Sequence, residues 1–499
     1  MAERDLANGI ASTELEEGRI VAATLDGQDV VLVRHQGRIC ALSGICTHLK
    51  APLADGIVAD GTIRCPWHHA RFDLTTGEAV DAPAFAPLDR FDVVEENGKA
   101  RVVTAAAEEP ATSEATPAIG RVVIIGAGAA GHACAEMLAR HGAGASVTIL
   151  DEEADAPYDR TFCSKQYLAG KAERDDLTLP GLDGVDLRTG VSVSTIDRNA
   201  KAVVLGTGER VPYDTLVLAT GAEAMRPDFY GADRQDVHVV RSLADADRLI
   251  GALDQAKSAV VIGSSYIGLE VAASLIGRGL TVAVVSDAEL PLEKTAGPEV
   301  GVMIQALHES KGVTFHLGRR VARWDGHGAM LDDGRQVAGD ILVAGLGAKP
   351  RTTLAEAAGL ALADKAAGGR VQVDAMLRTS DPAIHAIGDI AHAPNPRLGH
   401  PIRVEHWVVA QRMGQWLARH LLGQANGAYD AVPFFWSGHY DLSLRYVGHV
   451  ESPEDRRIDG KVKDRDFAVT FAEDGRDQAV LTAGRDVFAL EQETRWERG

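Results

Sequence analysis

The chain is short of positive charge. Its 51 Lys and Arg stand against 71 Asp and Glu, a formal net charge of -20. That deficit argues against sequence-independent nucleic-acid binding, which needs a basic face, and against attachment to an anionic membrane. No apolar run approaches the ~18 residues of a spanning helix. The opening MAERDLANGI has neither the basic stretch nor the apolar stretch of a secretory signal. Cysteine is scarce too: five, an odd count, do not make a disulfide framework. These absences lead to the expectation of a cytoplasmic protein with no nucleic-acid or membrane partner. Oligomerisation stays open. No short-period repeat is visible.

What is present suits several packed domains. The 499 residues are 45% apolar and 24% charged, and roughly 150 residues per domain gives about three or more. Residues 1–105 read as short strands separated by Asp-Gly and Gly turns. TAAAEEPATSEATPA (104–118) has no apolar periodicity and predicts a linker at 106–119. Two strand–turn–helix–strand units follow, and beyond residue 400 the strand patterns return.

In the first unit a buried-type strand, Val122 to Ile125, runs into Gly126, Gly128, Ala129 and Gly131, in G-x-G-x-x-G spacing. The first glycine permits the tight turn, the second lets backbone approach a pyrophosphate, and the third lets helix pack on strand. Asp151 ends the next strand, where a carboxylate bonds a ribose hydroxyl. The second unit repeats the plan with Gly263, Ser265 and Gly268, a serine replacing the middle glycine. Ser286 falls where the ribose carboxylate would be, and no arginine follows it to hold a 2'-phosphate, so NADH is slightly favoured over NADPH. Near the N-terminus, Cys46 with His48 and Cys65 with His68 pair thiolate and imidazole twice, sixteen residues apart. Both types are metal ligands. Structural zinc is one reading, although zinc sites usually group cysteines with cysteines and histidines with histidines.

Together the motifs resemble the two-dinucleotide flavoproteins of the pyridine-nucleotide–disulfide reductase superfamily, in its ferredoxin reductase and apoptosis-inducing-factor-like branches. PYDRTFCSK (157–165) resembles the segment that brings Arg160 and Lys165 near a flavin. VLATGA (217–222), with Thr220 and Gly221, resembles the turn closing the first flavin segment, and GLGAKP (345–350), with Gly347, resembles the return crossing. HAIGDI (385–390) resembles the second flavin motif, in which Gly388 offers backbone and Asp389 bonds the ribitol. RVEHW, with Glu405, His406 and Trp407, and PFFWS, with Trp436, resemble segments flanking the isoalloxazine. The resemblance implies that Lys165 pairs with Glu270 beside the nicotinamide, and that Lys165, Glu270, His406 and Trp436 form the catalytic set. The Cys-His pairs resemble a Rieske [2Fe–2S] site ligated by Cys46, His48, Cys65 and His68. Respiratory Rieske proteins bridge two extra cysteines where Ala51 and Trp67 stand here, so a ferredoxin-type cluster is implied. His69 stands where many relatives have glycine, and it is expected either to titrate near the cluster or to be solvated.

The implied architecture is multidomain. An all-β Rieske domain (1–105) is followed by α/β Rossmann-like FAD (120–225 and 346–400) and NAD (226–345) domains, then by a C-terminal α+β domain (401–499). The implied function is NAD(P)H-dependent electron transfer through FAD to the cluster. Electrons then leave through exposed imidazole edges to an oxygenase component, ferredoxin, cytochrome or quinone. Two alternatives stand beside it: a peroxidase or disulfide reductase using Cys163, and a redox signalling protein.

Overall fold

The computed structural model describes residues 5–105, 119–365, 368–451, 453 and 455–499. The predicted linker lies, but for Ile119, outside the described residues. The N-terminal part holds two antiparallel sheets. The six-stranded one runs in the order Ile10–Ala11, Lys99–Ala105, Arg90–Glu96, Arg38–Ser43, Gln28–His35, Ile20–Leu25. Its strand Gln28–His35 shows why the sheet forms. Side chains alternate faces along a strand, so Val31 and Val33 enter one core with Cys46 and Cys65, and Val30 and Leu32 enter the other. The second sheet has four strands, from Ile57–Ala59 through Thr62–Arg64 and Arg71–Asp73 to Ala79–Asp81.

Two parallel sheets follow, each of five strands. The first centres on Val122–Ile125, flanked by Val147–Leu150 and Thr215–Leu218. All four residues of that central strand are buried, the pattern of a parallel strand covered on both faces. The second sheet centres on Ser258–Ile262. It is an insertion into the first unit. The chain leaves along Ala222–Ala224 and returns along Ala348–Pro350, and these strands pair antiparallel, Ala222 opposite Pro350. Strand Ile384–Ala386 then rejoins the first sheet.

The C-terminal part is a five-stranded antiparallel sheet that begins at Phe434–His439 and is followed by the helix Asp486–Arg498. Helix Trp407–Leu421 lies on helix Ala129–Arg140, and a Cβ on Gly414 would come 2.2 Å from the Ala130 carbonyl. Val409, Met413, Leu417 and Tyr429 pack in the core of the first nucleotide unit. The helix thus buries its apolar face against the first nucleotide unit.

Candidate functional site

One cavity of about 630 Å³ lies between the two nucleotide units and the C-terminal sheet, within the usual range for a cofactor site. The first glycine turn forms one end. Gly126 has φ +103° and lies so close to Ala219 that any side chain would strike backbone. Gly131 sits where a Cβ would be 1.9 Å from the Gly126 carbonyl. Gly128 and Ala129 line the cavity at the helix start, where backbone N–H groups favour phosphate. Asp151 also lines it and accepts from the Ala127 N–H at 3.1 Å. Arg160 pairs with Glu153 at 2.7 Å and lies over the Tyr158 ring. Thr220, Gly221, Gly347 and Gly388 line the same space. Asp389 accepts from Arg241 at 2.5 Å, and Arg241 lines the cavity, a cation that no sequence motif marked.

Further along, Lys165 and Glu270 form an ion pair at 3.0 Å, with Glu270 only 3% exposed. Two serines inside the quoted motifs, given no role there, hold the carboxylate: Ser164 donates to Oε2 at 2.7 Å and Ser437 to Oε1 at 2.6 Å. His406, Trp407 and Trp436 line the wall. Burial holds the His406 imidazole down near 3, so it is neutral, and its ring packs on Phe435. Glu405 is tied to the buried Arg370 and to Arg403.

In the second glycine turn Ser265, Tyr266 and Ile267 line the cavity. Gly263 and Gly268 are packing glycines: Cβ atoms there would meet the carbonyls of Gly345 and Gly263 at 2.3 and 2.2 Å. The absence of a nearby arginine holds along the sequence but not in space. The next strand's end brings Arg319, whose N–H bonds the Ser286 carbonyl at 2.9 Å, and Arg320, which pairs with Asp287 at 3.0 Å. Both side chains are already paired, Arg319 with Asp333 at 2.8 Å and Arg320 with Asp287, and neither lines the cavity.

The two Cys-His loops are structural copies. In each, the cysteine N–H bonds the carbonyl five residues on, Ala51 or Ala70, and its own carbonyl accepts from the residue four on, Lys50 or His69. Lys50 and His69 both adopt left-handed backbone, φ 62° and 60°. That is the conformation glycine adopts at least cost. Cys46 and Cys65, each 1% exposed, lie in mutual hydrogen-bond contact, which holds the Cys46 thiol up and the Cys65 thiol down. Their sulfurs also accept backbone N–H bonds, Cys46 from His48 and Leu49, Cys65 from Trp67 and His68. The His48 and His68 ring centroids are 5.0 Å apart. Among the described residues no three Cys, His, Asp or Glu side chains converge to hold one ion. Two thiols side by side and two imidazoles side by side suit two metals with two protein ligands each, not one tetrahedral zinc.

The imidazoles do not face solvent. His68 is 9% exposed, and its ring centroid lies 4.2 Å from that of Trp436. His48 lies 4.0 Å from Asp159. The expected exposed imidazole edge is thus covered by the flavoprotein part of the same chain. His69 is neither solvated nor free to titrate: it is fully buried, stacked on Phe434 and bonded through Nδ1 to Glu493. Arg412 pairs with Glu493 at 2.6 Å and donates to the His69 carbonyl. Burial alone would raise the Glu493 carboxyl, but Arg412 and His69 outweigh it and hold it well below the usual carboxylate range. Arg64 and Arg71 pair with Glu497, and Arg445 donates to the carbonyls of Pro66 and Trp67.

A family model described as pyridine nucleotide-disulphide oxidoreductase matches residues 120–414, more than half of the chain. A model of the Rieske [2Fe–2S] domain matches residues 8–92. The chain belongs to the pyridine nucleotide-disulphide oxidoreductases, with an N-terminal Rieske domain. It is similar to the ferredoxin–NAD(+) reductase component of an anthranilate 1,2-dioxygenase system from Burkholderia cepacia, 35% identical over 74% of this chain and 92% of that protein. Apoptosis-inducing factor 3 of Mus musculus is 29% identical over 95% of this chain and 81% of its own length. Among solved structures, the covalent putidaredoxin reductase–putidaredoxin complex matches with a TM-score of 0.71 and 30% identity, covering 76% of this chain and 93% of that one.

As a member of this family with a Rieske domain, the chain is an FAD-dependent NAD(P)H oxidoreductase that carries a [2Fe–2S] cluster. The residues present fit all three groups. The glycine cradle and the cavity suit dinucleotides. The paired thiols, with four N–H groups aimed at sulfur and a buried His48 Nδ1 without a partner, suit the cluster. Cys163, by contrast, is 1% exposed, and burial pushes its thiol up to about 12. A redox thiolate needs the opposite shift.

Proposed function

We propose that this chain moves electrons from NAD(P)H through FAD to its own Rieske cluster, and from there to an external one-electron carrier protein. FAD accepts a hydride as an electron pair and gives up electrons singly, and the cluster carries one at a time. The protein's part is positioning and charge. Gly126, Gly128, Asp151 and Asp389 hold the FAD, and Ser265 with Glu270 faces the nicotinamide. The Lys165 ammonium stabilises negative charge that arrives with hydride. Glu270, fixed by Ser164 and Ser437, holds that ammonium in place. Cys46 and Cys65 hold one iron, His48 and His68 the other.

One observation carries the intrachain route. Trp436 lines the cavity that contains Lys165 and Glu270, and its ring lies against the His68 ring. The exit is proposed at Trp67, 38% exposed and 6.4 Å from the His68 ring, a surface point where a carrier can approach the cluster. Cys46→Ser tests the order. It is expected to abolish the cluster's EPR signal while FAD binding and NADH-driven ferricyanide reduction persist. Loss of dye reduction with FAD still bound would reverse the proposed order.

A further inference from the structure

Oxidation of one NAD(P)H by two one-electron acceptors yields NAD(P)+, two reduced acceptors and one proton. That proton arises in the cavity between the two nucleotide units and the C-terminal sheet, beside the buried Glu270. From Glu270 a line of buried polar groups leads away from it. The Ser437 hydroxyl donates to Glu270 Oε1 at 2.6 Å. His439 Nε2 lies 3.2 Å from Ser437 Oγ, His308 Nε2 lies 3.3 Å from His439 Nδ1, and the Tyr440 hydroxyl lies 3.3 Å from His308 Nδ1. Ser437, His439 and His308 have no exposed surface, and Tyr440 is partly exposed. We propose that Glu270, Ser437, His439, His308 and Tyr440 form a proton relay that carries this proton from the cavity to solvent.

Three features set the line apart from ordinary buried polar groups. First, both ring nitrogens of His308 and of His439 are engaged, whereas the buried His132, His238 and His385 each leave one ring nitrogen without a partner. Second, one consistent orientation satisfies every link. With Ser437 giving its proton to Glu270, His439 donates through Nε2 to Ser437, His308 donates through Nε2 to His439 Nδ1, and Tyr440 donates to His308 Nδ1. Third, burial keeps both imidazoles near 3, hence neutral, with one bare nitrogen and one N–H each. A neutral imidazole passes a proton by taking one on one nitrogen and losing the other.

Outward passage balances atom for atom. A protonated Glu270 gives its proton to Ser437 Oγ, and the serine hydroxyl proton goes to His439 Nε2. The Nδ1 proton of His439 goes to His308 Nε2, that of His308 goes to Tyr440, and the phenol proton goes to water. The orientation described above is the state left behind. The strand Phe434–His439 thereby divides the traffic: Phe434 and Trp436 meet the Rieske histidines, and Ser437 and His439 point along the relay.

The test uses the FAD-loaded full chain, reduced by one equivalent of NADH without oxygen, then mixed with ferricyanide in weak buffer containing a pH-indicator dye. In the wild type, proton appearance should keep pace with reoxidation. In His308→Gln it should slow by about 10²-fold, the lower end of the usual range for lost proton transfer, with NADH reduction of the flavin unchanged and imidazole restoring the rate. His439→Gln repeats the test at the next link, should the first variant not fold. A second readout needs no turnover: nitrogen-15 NMR of labelled histidines should find the same ring nitrogen protonated in His308 and His439. Wild-type proton release in the folded variants, unmatched tautomers, or an equal slowing of flavin reduction would overturn the relay. A wild-type chain that takes no hydride would overturn the site itself.

Discussion

At the scale of the residue, burial decides which groups take part in chemistry. In the proposed reaction Lys165 is useful because Glu270 and its two serines hold it in place beside the cavity. Lys165→Met should slow flavin reduction by NADH by about 10²-fold, the usual cost of one electrostatic stabiliser, without bleaching the bound FAD. Stopped-flow absorbance checks it. His132 illustrates the opposite use of burial. It is enclosed between helix and loop, bonded to the Pro180 carbonyl, and held down near 4 by desolvation. Its folded value lies below its unfolded one, so the unfolded chain binds more protons as pH falls from about 6.5 to 4. Stability is therefore lost over that window, about 3 kcal/mol for this one group. Thermal melts should show the fall, and His132→Asn should blunt it.

The same scale shows what motifs conceal. Gly126, Asp151 and Asp389 stand out because turns and ribose recognition impose fixed spacing. Arg241 reaches the cavity and Ser437 reaches Glu270 through strand register, with no fixed spacing to mark them. His69 breaks the local rule that favours glycine at a left-handed position. Its reason lies more than 400 residues away, at Glu493, and no reading of a single segment could supply it.

At the scale of the element, the loops around Cys46 and Cys65 are one device used twice, and their shared hydrogen-bond pattern made the pairing legible from spacing alone. The fold class was equally legible, since buried parallel strands and glycine turns leave strong local signatures. The docking of elements was not. Helix Trp407–Leu421 sits on the first nucleotide unit because Gly414 permits close approach to Ala130, a fact carried by one small residue. Helix Asp486–Arg498 carries Glu493 and Glu497, which anchor the Rieske loops. Glu493→Gln should leave the Arg412 charge buried and uncompensated, at about 3–5 kcal/mol. The expected result is normal flavin reduction with slowed cluster reduction, read by rapid-freeze EPR.

At the scale of the whole molecule, the Rieske domain turns both imidazoles inward toward Trp436, and the proposed route uses that contact to turn electron pairs into single electrons within one chain. Among the described residues no helix is long and apolar enough to cross a membrane. The most direct test of intrachain transfer is the rate at which the cluster is reduced after anaerobic mixing of the FAD- and cluster-loaded chain with excess NADH, measured over a hundredfold range of protein concentration. A first-order rate that does not change with concentration is the predicted result. A rate that rises in proportion to protein concentration would mean that each cluster waits for another chain's flavin, and would contradict it.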